Sequence, residues 1–586
     1  MTTLIPSYLK THVATQLKES LTEAANTVYY VFAGKHTAFA NGSIPTPQDS
    51  YQTTLYDAYN NMVFGKRVGD NDVSLLVPKI EWASNTVYTS YDSNTAMYGE
   101  NFFVVVEGAS QRDVFKVLDN NMGVPSTTAP DVSETSPSDE YYQTADGYVW
   151  KYMYSVSDAV WDKFVTDEYM PVGSNTQVEG NAVSGSIDVI RVVYGGSNYN
   201  ATYDGQFSSD QLLIGGNPLL YSIGTTASAN NDFYTDSCIY ITTGSGAGQL
   251  RKITDYNGAY RRITVNAAFT TALSNTSQYE IRPAVDIDGD GTGASARCTV
   301  DSGSGNSVST VEIITKGSGY SYATLAVRAN TSGVSNTATL RPIVSPPGGH
   351  GANAALELGA VAVGIGITFA NTESGLIPTE NDFRTIGVLK DPLFANVQLS
   401  LNAASISGTF TVGGTLTQAN TNATGVITTF EGATLYVTNV AGEFVTGKEV
   451  YQANSTANVA TANVLTYEIN TVSKNFDTFD QRFRYVVDYI SGTFQADEAV
   501  YQNNIVLANG VFHSNNSTHL TLTNVRGVMN AEETIVGVTS GAIANVQGRV
   551  EPDLIKYSGE VLYLENVEPV SRSNSQSEQI KIVLKF

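Results

Sequence analysis

Basic residues are scarce in this chain: 32 Lys and Arg stand against 56 Asp and Glu among 586 residues, a formal net charge of −24. A nucleic-acid partner needs a basic face that releases counterions from the phosphate backbone, so this balance argues against one. Charge of either sign is thin, at 15% of residues. Cysteine is nearly absent, with Cys238 and Cys298 the only two. Two in so long a chain make no disulfide framework, and both are expected as small buried apolar residues. Long apolar runs are missing too. The longest, Gly359–Ala370, is too short and too rich in glycine to span a bilayer. Met1–Glu23 lacks the basic start and apolar block of a secretory signal. The chain is therefore expected to be made and kept in a cytoplasm, without a membrane partner.

What the sequence does hold is 51 Gly, 34 Tyr and 22 Phe, with much Asn, Thr and Ser. Aromatic and β-branched residues fit a pleated sheet, and Gly and Asn accept turn dihedrals, so the fold is expected to be mainly β with few helices. At ~150 residues per domain the length suggests about four domains. The start reads as an amphipathic helix opened by Pro6 and Ser7, with Leu9, Val13, Leu17 and Leu21 on one face. Thr27–Phe32 has the period of a strand, Leu55–Phe64 reads as a second short helix, and Phe102–Val106 and Tyr148–Val156 read as strands. Gly123–Asp139, rich in Pro, Ser and Thr, reads as a loop.

From about Val183 charges thin out and strand–turn–strand units dominate. Ile187–Tyr194 runs into Gly195-Gly196-Ser197-Asn198-Tyr199, and Val311–Thr315 into Lys316-Gly317-Ser318-Gly319-Tyr320: an apolar strand, a glycine turn, then a tyrosine. Asp255–Gly258 reads as a hairpin turn, and Ser345–Gly351, with two prolines and three glycines, as a hard break. A clearer repeat joins Phe410–Val464 to Phe494–Val546. Phe410 answers to Phe494, an offset of 84, and Thr438-Asn439-Val440 to Thr523-Asn524-Val525, an offset of 85. Two copies suggest duplicated small β domains, since a solenoid needs more repeats. Gln579–Phe586 alternates like a closing strand.

Several motifs invite a chemical reading and fail it. Asp286-Ile287-Asp288-Gly289-Asp290-Gly291 resembles the start of a calcium loop, but Arg297 stands where the bidentate acid belongs. Gly244-Ser245-Gly246-Ala247-Gly248-Gln249 resembles a phosphate cradle, yet Leu250–Ile253 looks like a strand where a helix is needed. The histidines, His12, His36, His350, His513 and His519, show no zinc-ligand spacing. No nucleophile elbow or Cys–His arrangement stands out, and nothing singles out a carboxylate pair for glycoside hydrolysis. Trp82, Trp150 and Trp161 fit core or interface anchors better than a carbohydrate platform. The sequence thus nominates no catalytic, cofactor-binding or metal-binding residue.

Blocks dispersed along the chain resemble the gene product 8 family, baseplate wedge proteins of T4-like phages. They run Tyr29-Tyr30-Val31-Phe32-Ala33-Gly34-Lys35, Pro45–Ser50, Val77–Trp82, Thr86–Tyr88, Tyr91-Asp92, and Asp146-Gly147-Tyr148-Val149-Trp150-Lys151-Tyr152, the most distinctive. Asp382–Gly387, Asp391-Pro392, Ser558–Asn566, Gln576–Ile582 and the terminal Phe586 complete the series. Phe39 stands where the family pattern leads one to expect tryptophan. The match covers roughly 1–180, 346–395 and 551–586. It implies a non-enzymatic structural subunit of a contractile tail's baseplate, with a β-sandwich-like core. It also implies a homodimer bound to other wedge proteins, with tail fibre proteins as further candidate partners, and no cofactor. The domain plan that follows is 1–182, 346–395 and 551–586 as a split core, with 183–345 an inserted β domain and 396–550 inserted tandem β repeats. Two rivals remain: a peripheral tail or fibre protein that binds a host glycan or receptor through the insertions, and a tail-associated glycan hydrolase.

Overall fold

The computed structural model describes residues 5–586 except 24–26, 36–38, 40–42, 133–140, 329–335, 371–381, 395, 422, 443, 455–456, 471–476, 531–532, 551 and 572–575. His36 and the end of the Gly123–Asp139 loop lie outside the described residues. The protein is mainly β, built of several sheets and small barrels with few helices. By compactness it divides into two units, one of residues 1–14, 75–362 and 585–586, the other of 15–74 and 363–584. This division runs across the segments drawn from the sequence.

In the second unit a five-stranded sheet is assembled from distant parts of the chain. Its order is Thr478–Asp480, Met62–Arg67, Tyr29–Gly34, Asp382–Lys390 and Glu560–Ser571. Tyr29–Gly34 is buried at every position, as a central strand covered on both faces should be. One row across this sheet alternates large and absent side chains. Phe479 pairs with Gly65, Gly65 with Phe32, Phe32 with Gly387, and Gly387 with Leu564. The Phe479 ring fills the place of a Cβ at Gly65, and the Phe32 ring does so at Gly387. The glycines are thus required for space, with no demand on their dihedrals. The C-terminal strand Glu578–Lys585 lies beside Ala362–Phe369, the strand formed by the longest apolar run.

The repeat read from the sequence is structural, and it begins earlier than Phe410. The first copy runs through strands Asn396–Leu401, Thr415–Gln418, Thr424–Glu431, Thr434–Ala441, Glu449–Ala453 and Asn458–Asn470. A pairing between its first and last strands closes the ring. The second copy is a closed barrel of Phe483–Ser491, Ala499–Gln502, Asn509–Asn515, His519–Arg526, Thr534–Gly537 and Ile543–Val550. Taken in chain order, the six strands neighbour one another in the same sequence in both copies. Their cores match position by position: Phe410, Leu416, Ile427, Leu435 and Val450 against Phe494, Val500, Phe512, Leu520 and Ile535. Asn439 and Asn524 fall in the same β-bulge, between Thr424/Val426 and Asn509/Val511 on the neighbouring strands.

In the first unit, strands Phe103–Glu107, Gln111–Asp119, Val149–Ser157 and Tyr142–Gln143 form a four-stranded sheet. A nine-stranded sheet occupies 203–328, and Ile187–Tyr194 pairs with Thr339–Val344. The two glycine–tyrosine turns meet in one core, where Tyr199 and Tyr320 are both buried. Each turn bonds back to the start of the other's strand: Tyr199 N donates to Asn306 O and Tyr320 N to Gly185 O.

Two helix readings need correction. The apolar stripe Leu9–Val13–Leu17–Leu21 is not the buried face of the helix Ser7–Thr22. Leu9 and Val13 are exposed, whereas Thr11, Ala14 and Leu21 are buried. Four-residue steps overrun a 3.6-residue turn, so the stripe drifts round the helix. Leu55–Phe64 is helical only to Asn61; a π-helical turn over Gln52–Asp57 leads into Ala58–Asn61, and Met62 opens a strand. The sheet claims Met62–Phe64 because its central strand needs a partner on that edge.

Candidate functional site

The motifs singled out in the sequence scatter into structural roles. Asp286 pairs with Lys252 (3.3 Å) and Arg328 (3.0 Å). Asp290 caps a turn, accepting from Ser321 and from the Tyr322 amide, and those donors hold its carboxyl at about 2. Arg297 pairs with Glu280 and Glu312. Gly244, Gly246 and Gly248, at φ 80°, 82° and 87°, turn the strand Ser237–Thr243 into Leu250–Asn257. A strand follows these glycines, so no helix N-terminus faces their amides. Among the described residues no three His, Cys, Asp or Glu side chains are grouped to hold a metal ion. Trp150 is fully buried and stacked on Tyr148, Trp161 is buried, and Trp82 donates to Ser126 Oγ at 3.1 Å. Both thiols are free and buried, and burial pushes Cys238 up to about 12.

The densest chemistry lies in the first unit, at a place the sequence reading passed over. Lys116 stands mid-strand in Gln111–Asp119 and is wholly buried. Its Nζ lies 2.9 Å from His350 Nδ1 and 2.9 Å from Glu357 Oε2, and 3.8 Å above the centre of the Tyr91 ring. The other carboxylate oxygen of Glu357 accepts from the Gly351 amide at 2.6 Å. The ammonium donates to Nδ1, which leaves the imidazole proton on Nε2, 3.7 Å from Asp188 Oδ2. Asp188 in turn accepts from Ser186 Oγ and pairs with Lys316 (3.0 Å). Three stretches of chain supply Lys116, Asp188, His350 and Glu357: a strand of the four-stranded sheet, the strand Ile187–Tyr194, and the Pro346–Glu357 connection with its short helix Ala354–Glu357.

Electrostatics follow from dryness. Burial lowers the Lys116 pKa, with Glu357 opposing. Burial, and then the Lys116 charge, push His350 down to about 3, so the imidazole is neutral. Burial alone would raise Glu357, but Lys116 and the His350 hydrogen bond outweigh it and hold the carboxyl at about 2. Asp188 goes the other way, raised to about 6 by burial against Ser186, Lys151 and Lys116. A buried ion pair of this kind is costly unless every member is bonded, and this one is bonded on nearly every side. Lys116, His350, Glu357 and Asp188 are all buried, so a diffusing substrate has no path to them without rearrangement. The arrangement suits chemistry among its own members, or none.

One signal in the sequence pointed here: a lone lysine inside the apolar run Val114-Phe115-Lys116-Val117-Leu118. A buried strand carries a lysine only where a partner waits. His350 was hidden in what reads as a glycine-proline break. No helix among the described residues is long and apolar enough to cross a membrane. No family model matches the chain, and no curated protein matches it.

Proposed function

We propose that this chain is a structural subunit of the baseplate wedge of a contractile phage tail. On this reading it is made in the host bacterial cytoplasm, resides in the virion, and works through protein–protein contacts, with no catalytic site for an external substrate. The observation that carries the reading is convergence. Residues from four family-like blocks, far apart in sequence, line one cleft of about 220 Å³: Gly34, Pro45, Gln48, Thr385, Leu564 and Asn566. The cleft sits on the sheet row in which Phe32, Gly387 and Leu564 interlock. Blocks that meet this way in space behave as parts of one scaffold. The test is the mass of the purified chain in solution and its assembly with purified wedge neighbours. A dimer that co-assembles is expected; a monomer that engages no tail component overturns the reading.

A second reading has its own support. Tyr194, Tyr260 and Tyr322 of the inserted 183–345 segment are half or more exposed, at 50%, 67% and 59%, and exposed rings stack on sugars. Binding of the chain to host surface glycans, lost in Tyr260→Ala and Tyr322→Ala, would favour a peripheral receptor-binding protein.

A further inference from the structure

We infer that Lys116 and Glu357 join in an intramolecular isopeptide bond, formed by the protein on itself, with His350 as the proton carrier. The four groups around the Lys116 amine have the geometry this reaction requires. The nucleophile, Nζ, touches both the carboxylate it would attack and an imidazole nitrogen that accepts its proton, each at 2.9 Å. The same Nδ1 lies 3.6 Å from the leaving oxygen, Glu357 Oε2. The Gly351 amide holds the remaining oxygen, Oε1, at 2.6 Å, as a donor must where negative charge develops on the oxygen of a tetrahedral intermediate. Asp188 stands on the far side of the ring, 3.7 Å from Nε2, where it steadies the imidazolium that forms in transit.

The step balances without any outside reagent. His350 takes one proton from the Lys116 ammonium and passes it to Glu357 Oε2, turning the ion pair into an amine and a carboxylic acid. Burial lowers the Lys116 pKa and so eases the loss of this proton, against the pull of Glu357. The amine attacks Cδ and the C–N bond forms. A second proton leaves nitrogen by the same ring to Oε2, the C–Oε2 bond breaks, and water departs. His350 ends as it began. Proximity does most of the work, since the reacting groups are already in contact.

The position of the bond gives it a purpose. Lys116 and Glu357 are 241 residues apart, and the whole of 183–345 lies between them. A covalent tie there would close a loop that contains the whole segment, so tension on the segment would not pass along the backbone beyond Lys116 and Glu357. This holds whether the protein is a wedge subunit or a receptor binder.

Mass spectrometry of the intact, full-length chain tests it. Wild type is expected one water lighter than its sequence, and digestion should yield one branched peptide linking Lys116 to Glu357. Lys116→Arg keeps the cation but cannot form the amide, and should show the full mass and a lower melting temperature. His350→Ala should accumulate unlinked chain that converts slowly or not at all. Folded wild-type protein that keeps its full mass after long incubation overturns the proposal. So does a water loss that maps elsewhere in the chain.

Discussion

Single residues in this protein are constrained by what fills the space beside them. Gly387 is the clearest case, since the ring of Phe32 occupies the place of its side chain. Gly387→Ala is expected to lose about 1–3 kcal/mol, the usual cost of overpacking, and Phe32→Leu in the same chain to recover part of it. Urea melts of the two single variants and the double would show the coupling; strict additivity would mean that the ring is free to move. His513 tests a different constraint. It is buried in the second barrel with Nδ1 on Ser514 Oγ and Nε2 without a hydrogen-bond partner among the described residues, and burial, with Arg482 and Lys35 nearby, pushes it down to about 2. The folded state therefore keeps the ring neutral where the unfolded chain, with its ordinary value near 6.5, takes up a proton. Stability is intact above pH 6.5 and falls as pH drops through 6.5 toward 2, by about 1.4 kcal/mol per unit once well below 6.5. Hydrogen exchange of barrel amides across this range should show that slope, and His513→Phe should flatten it.

At the level of elements, the two barrels solve the same problems with equivalent parts. Gln418 and Gln502 are both buried, and each clamps a loop by two hydrogen bonds. Gln418 Nε2 donates to Val445 O and accepts at Oε1 from Val445 N; Gln502 does the same with Asn530. Gln418→Ala and Gln502→Ala should therefore cost the same, about 1–3 kcal/mol each for the backbone groups left unpaired. Markedly unequal losses in denaturant melts would mean that the copies have diverged in how they hold that loop. In one place they did diverge, reciprocally. Gln452 reaches over Gly414 to bond Thr411 in the first copy, whereas Glu498 reaches over Gly537 to bond Gln495 and Ser540 in the second. The long side chain moved to the neighbouring strand, and the glycine moved with it.

At the scale of the whole molecule, function on the proposed reading lies in contact surfaces. The second barrel carries an apolar tip that the first lacks: Ile505, Val506 and Leu507 are 44%, 80% and 72% exposed, where the first copy has Asn420, Thr421 and Asn422. Asn504 caps the turn that presents them, its side chain accepting from the Val506 amide at 2.9 Å. Consecutive exposed aliphatic residues on a formed turn suit an anchor seated in a partner's pocket. Val506→Asp with Leu507→Asp is expected to leave the melting temperature within a degree or two, because nothing buried changes, while weakening co-assembly with neighbouring tail proteins by tenfold or more. Co-sedimentation would check this; undiminished assembly would assign the anchor elsewhere.

Much of this architecture was already legible in the residues. Alternation and turn chemistry placed Ile187–Tyr194, the glycine turn at Gly244–Gly248 and the closing strand, because a strand's period and a positive φ are local demands. The repeat was legible because matching core positions survive in sequence. Sheet partners were not: Tyr29–Gly34, Asp382–Lys390 and Glu560–Ser571 carry no mark of adjacency, since backbone pairing is blind to side-chain identity and only the folded chain brings those edges together. Nor was the end of the helix at Asn61, where a neighbour's open edge outbids local propensity. The cluster at Lys116 was least visible. Apart from a lysine set in an apolar run, its members are unremarkable one by one, and their pKa shifts and hydrogen bonds exist only once the tertiary structure removes water from around them.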